Sequence, residues 1–484
     1  MQQQFLASHA SVPTSRGELW LLASVMAILE ALLLFLGAKF ASPLIALAAV
    51  AMLFFVPWVL VSTERTLYCL MAYISVLPSY AAYLRYPYLK YYVNLAMVAA
   101  VVLFMFGHQF IRRLMQDGDA LKRSSRLDRA LLLFLSWVLF SALWGFFMGG
   151  SVKYLLIEAY FFSLYLCYFI VSDNFDDYQL RRMWDFLALV TVFVSFEYIY
   201  IALKEAGLGA LLIKRVSTQQ PHLAQLAIPY LASFMLFGKP SRLIKLLSIA
   251  AIMPMALMVF FSQQRALWGA VFVSLVVLWA FRSMQQGFSM RTLRRFSGYI
   301  LTTLVILIFM VWMADKMIMG SSIFTILWRF SSLLDIANDE SLAIRMGEIS
   351  HAMQQWQNHR FLGTGLGSTI SPVTLIHYSN NNVDNSYAVI LWKTGIIGLA
   401  LYLSVLALVF KHGLYVFRCT KSIERQRMIA ALLSGFTGLL VIALTNACLA
   451  FYIYSIIWAA GFASVEILYR LEQSNQINGP IERY

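Results

Sequence analysis

Uninterrupted apolar runs recur along this chain, at about 20 residues each the length that a hydrocarbon core roughly 30 Å thick demands of a helix. Candidate spans lie near 19–37, 42–62, 67–83, 91–108, 129–148, 154–172, 183–203, 223–238, 244–262, 265–281, 298–316, 385–410, 428–446 and 447–468. The pattern predicts an all-α, polytopic integral membrane helix bundle of 12–14 transmembrane helices. One segment, 317–384, is too long for a connector between spans and is expected to carry function. The chain thus divides into residues 1–316 with about eleven spans, the loop 317–384, and residues 385–484 with the last spans and a tail.

Inside the long loop the periodicity changes. Leu342, Met346, Ile349, Met353 and Trp356 recur at intervals of four and three, the mark of an amphipathic helix, and Asp339 stands where an N-cap is wanted. Arg345, Glu348 and Gln355 fall away from that stripe, which on periodicity alone describes a helix lying on a membrane surface with its charges solvated.

Composition agrees with lipid as the main solvent: 61% of the 484 residues are hydrophobic, 12% are charged, and mean hydropathy is +0.73. A soluble multidomain enzyme is excluded by these values. The net charge of +14 sorts by topology. With the N-terminus inside, 24 of the 37 basic residues fall in cytoplasmic loops, which assigns both termini to the cytoplasm and the long loop to the outer face. The polar stretch 1–16 has no cleavage pattern, so the first span is expected to be retained. Cys69, Cys167 and Cys448 lie in apolar runs and Cys419 in a basic loop, a distribution that predicts neither disulfide nor zinc site.

The 13 remaining basic residues are the informative ones. Arg215 precedes Val-Ser-Thr-Gln-Gln-Pro-His-Leu, Arg265 follows the tight turn Ser262-Gln263-Gln264, and Arg345 lies on the loop helix. A planar guanidinium at the lipid boundary either clamps an anion such as a diphosphate or snorkels to the headgroups. Asp384 enters an apolar span from Asn380-Asn381-Asn382-Val383; it can cap that helix, or orient or deprotonate a sugar hydroxyl. Glu158 and Glu197 lie within apolar runs, where a carboxylate is either functional or paired with an arginine. The outer histidines, His222, His351, His359 and His377, have no zinc-ligand spacing. Gly363-Thr364-Gly365-Leu366-Gly367-Ser368 lacks the strand and lysine of a nucleotide-binding loop, and its glycines fit a tight turn that returns the loop helix to the membrane.

Three segments together resemble a family signature: His359-Arg360-Phe361-Leu362-Gly363-Thr364-Gly365-Leu366-Gly367-Ser368, then Asp384-Asn385-Ser386-Tyr387, then Leu391-Trp392-Lys393-Thr394-Gly395-Ile396-Ile397-Gly398. They are similar to the O-antigen polymerase and O-antigen ligase family of bacterial membrane glycosyltransferases. Arg215 and Arg265 resemble the family's outer-loop and span-start arginines, and Arg345 the arginine heading its periplasmic helix.

The resemblance implies a GT-C-like enzyme of the bacterial inner membrane that moves a glycan from undecaprenyl diphosphate to an acceptor hydroxyl, inverting the anomeric carbon, without metal or other cofactor. It implies Asp384, Arg215, Arg265 and Arg345 as catalytic residues, with Arg360, Asn385 and Tyr387 joining the arginines in binding substrate. The partners implied are the lipid-linked glycan, the bilayer and a separate chain-length regulator protein; no nucleic acid is among them. Ligases commonly carry histidine where this chain has Asp384, and aspartate there resembles the polymerases; His351 or His377 could supply the base in its stead. A surface-polysaccharide polymerase is therefore the leading expectation and an O-antigen ligase, acting on lipid A–core, the alternative. The third, a lipid-linked oligosaccharide flippase, predicts two related halves, and no such repeat is visible.

Overall fold

A computed structural model describes residues 62–83, 98–111, 125–210, 220–238, 241–262, 264–286, 298, 340–370, 383–449 and 454–477. The chain divides into two units, Met1–Cys69 and Leu70–Tyr484, and every contact discussed below lies in the second. Among the described residues the structure is helical, without strands. In chain order the helices are α1 (Thr63–Tyr83), α2 (Val98–Ile111), α3 (Arg126–Phe147), α4 (Val152–Ser163), α5 (Cys167–Asn174), α6 (Asp177–Ala210), α7 (Ala224–Leu236), α8 (Arg242–Phe261), α9 (Arg265–Gln286), α10 (Glu340–Gln357), α11 (Ser386–Cys419), α12 (Ile423–Ile442) and α13 (Ser455–Ile477). A 3₁₀ turn, Leu164–Leu166, joins α4 to α5, and another, Gln220–Leu223, leads into α7.

Seven of these, counting the α4–α5 run Val152–Asn174 as one with α3, α6, α8, α9, α11 and α12, are long and apolar enough to cross a membrane. The chain is a multi-pass membrane protein. Apart from residues 62 and 298, the expected spans 19–37, 42–62 and 298–316 lie outside the described residues, as does Asp339. Bilayer-facing surface is visible on α3, where Leu139 is 65% and Phe147 79% exposed, and on α8 at Leu243, Leu246 and Leu247. Such rows of outward apolar side chains have no place in water but suit lipid.

Local chemistry sets the helix ends. Ser125 and Asp128 form a capping box at the start of α3: the Asp128 N–H donates to Ser125 Oγ (3.0 Å) and the Ser125 N–H to Asp128 Oδ2 (2.8 Å). Ser241 and Ser422 cap α8 and α12 in the simpler way. In packing, α12 is enclosed by α7, α9 and α11, while α3 lies along α11 and α5 along α13.

Two expected spans need correction. The span 385–410 is not one helix: α11 is broken at Gly395 (φ 70°, ψ −176°), and the helix beyond the break runs from Ile396 to Cys419. Those 24 residues rise about 36 Å, enough to cross on their own. Where a span was expected at 447–468, the helix α13 begins only at Ser455, after residues 443–449 are tied down as a turn, and it is not among the seven long and apolar enough to cross. Ser386 Oγ donates to Asn446 O (2.7 Å) and accepts from the Leu449 N–H (3.1 Å), fixing that turn over the start of α11.

One end of the bundle is built from charge. Arg470 reaches both oxygens of Asp128 (2.7 Å) and Glu466 (2.9 Å), and Glu466 meets His412 Nδ1 (2.8 Å). Beside them Arg425 bridges Asp177 (3.1 Å) and Glu472 (2.7 Å), while Arg181 pairs with Asp177 and Glu424. The arginines assigned to one side by their loops are thus partnered by acids assigned to that side, several of them from distant segments.

Candidate functional site

The opposite end, where α3 and α12 finish and α4 and α11 begin, gathers the residues of the sequence signature. Its scaffold is the break in α11. A left-handed, extended glycine removes several helical hydrogen bonds, and backbone buried within the protein must recover them. The segment after α10 supplies the partners. The Thr364 N–H donates to Trp392 O (2.9 Å), the Gly365 N–H to Lys393 O (3.0 Å), and the Ile396 N–H to Arg360 O (3.0 Å). From α3, Ser141 Oγ donates to Lys393 O (2.9 Å) and Trp137 Nε1 to Thr394 O (2.8 Å).

This fit requires an approach only glycine allows. Gly365 (φ 85°) lies against Gly145 of α3, and a β-carbon on either residue would overlap the other segment's backbone. The glycine run is therefore more than the expected tight turn: it is wedged between α3, α4 and the break in α11. Trp144 Nε1 adds a hydrogen bond to Gly363 O (3.1 Å).

Beneath the wedge lies a charge pair shut away from solvent. Lys393 Nζ donates to Glu158 Oε1 (2.5 Å) and to Ser368 O (2.9 Å), and Glu158 Oε2 accepts from the Gly367 N–H (2.8 Å). Of the two readings the sequence left open for Glu158, a functional carboxylate or a pair with an arginine, neither named the lysine that meets it here. The signal was present in the sequence, since both residues are isolated charges in apolar runs assigned to the same face. Glu197, the other such carboxylate, is half-buried and accepts from Gln220 Nε2 (3.4 Å).

Above the scaffold, Arg345 of α10 meets Asp384 just before α11, with Nε 3.4 Å from Oδ2. Both side chains are partly open, at 25% and 36% exposure. Asp384 does not cap α11. That role belongs to Asn385, whose Oδ1 accepts from the Ala388 N–H (2.9 Å) while Nδ2 donates to Leu444 O (2.9 Å). Asp384 is left with its carboxylate directed to Arg345.

The burial of α10 also differs from the expected stripe. Met346, assigned to the apolar face, is 57% exposed, whereas Glu348 is 3% exposed. Gln355 faces inward too, accepting from Trp392 Nε1 (2.9 Å) and donating to Thr369 O (3.1 Å). The helix packs on α11, whose broken start offers polar partners, so its polar side is drawn inward.

The remaining predicted residues distribute as follows. Arg265 opens α9 at this same end: Ala270, one turn further, abuts Gly438, four residues short of the end of α12. Tyr387 OH donates to Leu440 O (3.1 Å), joining α11 to α12. Arg360 has an exposed side chain, and its carbonyl accepts from Trp356 Nε1 (3.0 Å) as well as from Ile396. His351 is exposed, and His359 packs edge-on against Trp144. Arg215 and His377 lie outside the described residues.

A polar hollow of about 310 Å³ opens between the α3–α4 turn, the end of α10 and the glycine wedge. Chemically, this end offers a carboxylate held by a guanidinium, a second arginine at a helix start and an uncharged recess alongside. Comparison of the chain with protein-family models finds no match, and comparison with curated proteins finds none.

Proposed function

We propose that this protein polymerises a surface polysaccharide at the outer face of the bacterial inner membrane. It takes a glycan linked to undecaprenyl diphosphate and joins it to a sugar hydroxyl of a second lipid-linked repeat unit. The observation that carries the reading is the Arg345–Asp384 pair, which sets a carboxylate beside a guanidinium at the end of the bundle opposite its charged network.

In this reading the acceptor hydroxyl oxygen forms a bond to the anomeric carbon from the face opposite the diphosphate. Its proton passes to Asp384, and the bond from the anomeric carbon to the diphosphate oxygen breaks. Inversion and release of undecaprenyl diphosphate follow. Charge grows on the leaving oxygens, and arginines directed at them stabilise that charge most where water is scarce. Arg345, Arg265 and Arg215 take this role, with Arg360, Asn385 and Tyr387 around the substrate. A carboxylate acting as base contributes about 10²- to 10⁴-fold.

The charge asymmetry of the loops supports an orientation with both termini in the cytoplasm and the Asp384 end outward. Length control by a separate membrane protein belongs to the same reading.

Incubating the purified protein with undecaprenyl-diphosphate repeat units alone tests it. A ladder of longer lipid-linked chains is expected. Product that forms only when lipid A–core is added would assign a ligase, and no transfer under either condition would overturn the glycosyltransferase reading.

A further inference from the structure

We infer that the hollow between the α3–α4 turn and the end of α10 is a subsite for a neutral, hydroxyl-rich sugar ring of the lipid-linked glycan, which rests on the glycan-transfer reading above. Among the described residues no aspartate, glutamate, lysine or arginine lines it; its polar side chains are Ser151, Gln355, Asn358, His359, Thr364, Ser368 and Thr369. At about 310 Å³ it is at the small end of ligand sites, which run from roughly 300 to 1,000 Å³.

Its walls divide into groups fixed by hydrogen bonds within the protein and groups left open to solvent. Gln355 is held by Trp392 and Thr369 O, and Thr364 Oγ1 donates to Ser368 Oγ (2.8 Å). From below, the Lys393–Glu158 pair grips Gly367 N–H and Ser368 O, so the wedge side of the hollow cannot retreat. By contrast the side chains of Ser151, Asn358 and Thr369 bond to no other group among the described residues. Three unpartnered donor–acceptor groups around a rigid, uncharged recess match a ring that presents hydroxyls and carries no charge. The charge pair beneath it, Lys393 with Glu158, is mutually neutralised.

Position agrees with this division. Gln355 follows Arg345 by ten residues on α10, about 15 Å along the helix. A lipid-linked glycan is built the same way, with its anionic diphosphate at one end and neutral rings beyond.

The test uses the full-length protein in detergent and, as probe, the free repeat-unit oligosaccharide released from the host's own surface polysaccharide. Saturation-transfer NMR should detect binding to the wild type, with inorganic pyrophosphate failing to displace the sugar. Asn358→Ala with Thr369→Ala should weaken binding at least tenfold, and Asn358→Trp, which fills the recess, should abolish it. With lipid-linked units, the same variants should raise KM while leaving kcat near normal. Wild-type failure to bind, displacement by pyrophosphate, or equal binding by the variants overturns the subsite. If the sugar binds and the variants lose it but no ladder forms, the subsite stands and the polymerase reading falls. If ladders form with unchanged KM in the variants, the reverse holds.

Discussion

Lys393 and Glu158, 235 positions apart in the chain, meet at 2.5 Å with 1% and 0% of their side chains exposed. Removing one partner of such a pair leaves a buried charge without compensation, at a cost of about 3–5 kcal/mol. Lys393→Met and Glu158→Gln are each expected to lower thermal stability in detergent. The double variant Lys393→Met with Glu158→Met should recover much of the loss, because an apolar pair of similar volume carries no desolvation cost. A double variant no more stable than the worse single variant would show that the pair's contacts with Gly367 and Ser368 matter more than its charge.

The approach of Gly365 to Gly145 leads to a second expectation. Gly365→Ala places a β-carbon into α3 and adds the strain of a left-handed backbone, about 1–2 kcal/mol before the clash is counted. The wedge should detach from the break in α11. Limited proteolysis would report this as new cleavage between residues 358 and 370, with α11 to α13 still resistant.

For Arg345 and Asp384 stability and activity should separate. A partly exposed ion pair contributes about 0–1 kcal/mol, and the cap of α11 belongs to Asn385. Arg345→Ala and Asp384→Asn are therefore expected to fold like the wild type and to lose glycan transfer, the latter by about 10²- to 10⁴-fold. Circular dichroism and melting curves beside the ladder assay would check both halves. Full activity in Asp384→Asn would remove it as the base.

Asn385→Ala should behave in the opposite way. It loses the cap and the bond to Leu444 O, so a destabilisation of about 1 kcal/mol or somewhat more is expected, partly restored by Asn385→Ser. Gel filtration measures the loss of folded protein, and the transfer rate per folded molecule reads separately the substrate contact proposed for Asn385.

Sidedness is open to a direct check. In a variant lacking the four native cysteines, Asn358→Cys is expected to react with a membrane-impermeant maleimide added outside the inner membrane. Lys421→Cys should react only after the membrane is opened. The reverse pattern would overturn the orientation.

Much of the frame was legible before any contact was known. Partition between lipid and water is decided residue by residue, so the runs at 129–148, 154–172 and 428–446 announced helices near where they lie. The glycine run and the Asp384-Asn385 pair were also visible as motifs. Less legible was the inward face of α10. Periodicity measures apolarity and assumes an apolar neighbour, whereas the broken start of α11 offers α10 polar partners such as the Trp392 indole. Asp384 was similarly ambiguous, since two adjacent residues can cap a helix and only backbone geometry separates them.

The sequence by itself determined that the protein is helical and multi-pass, and that its charges divide unevenly between its loops, because those properties follow from the local affinity of each segment for lipid or water. Only the tertiary structure decided which charges meet: Lys393 with Glu158 inside the bundle, Arg345 with Asp384 at its rim, Arg470 with Asp128 at the other end. Local pattern carries no information about partners hundreds of residues away. Those pairings arise when packed helices exclude solvent and every buried charge and freed carbonyl must find its complement across the fold.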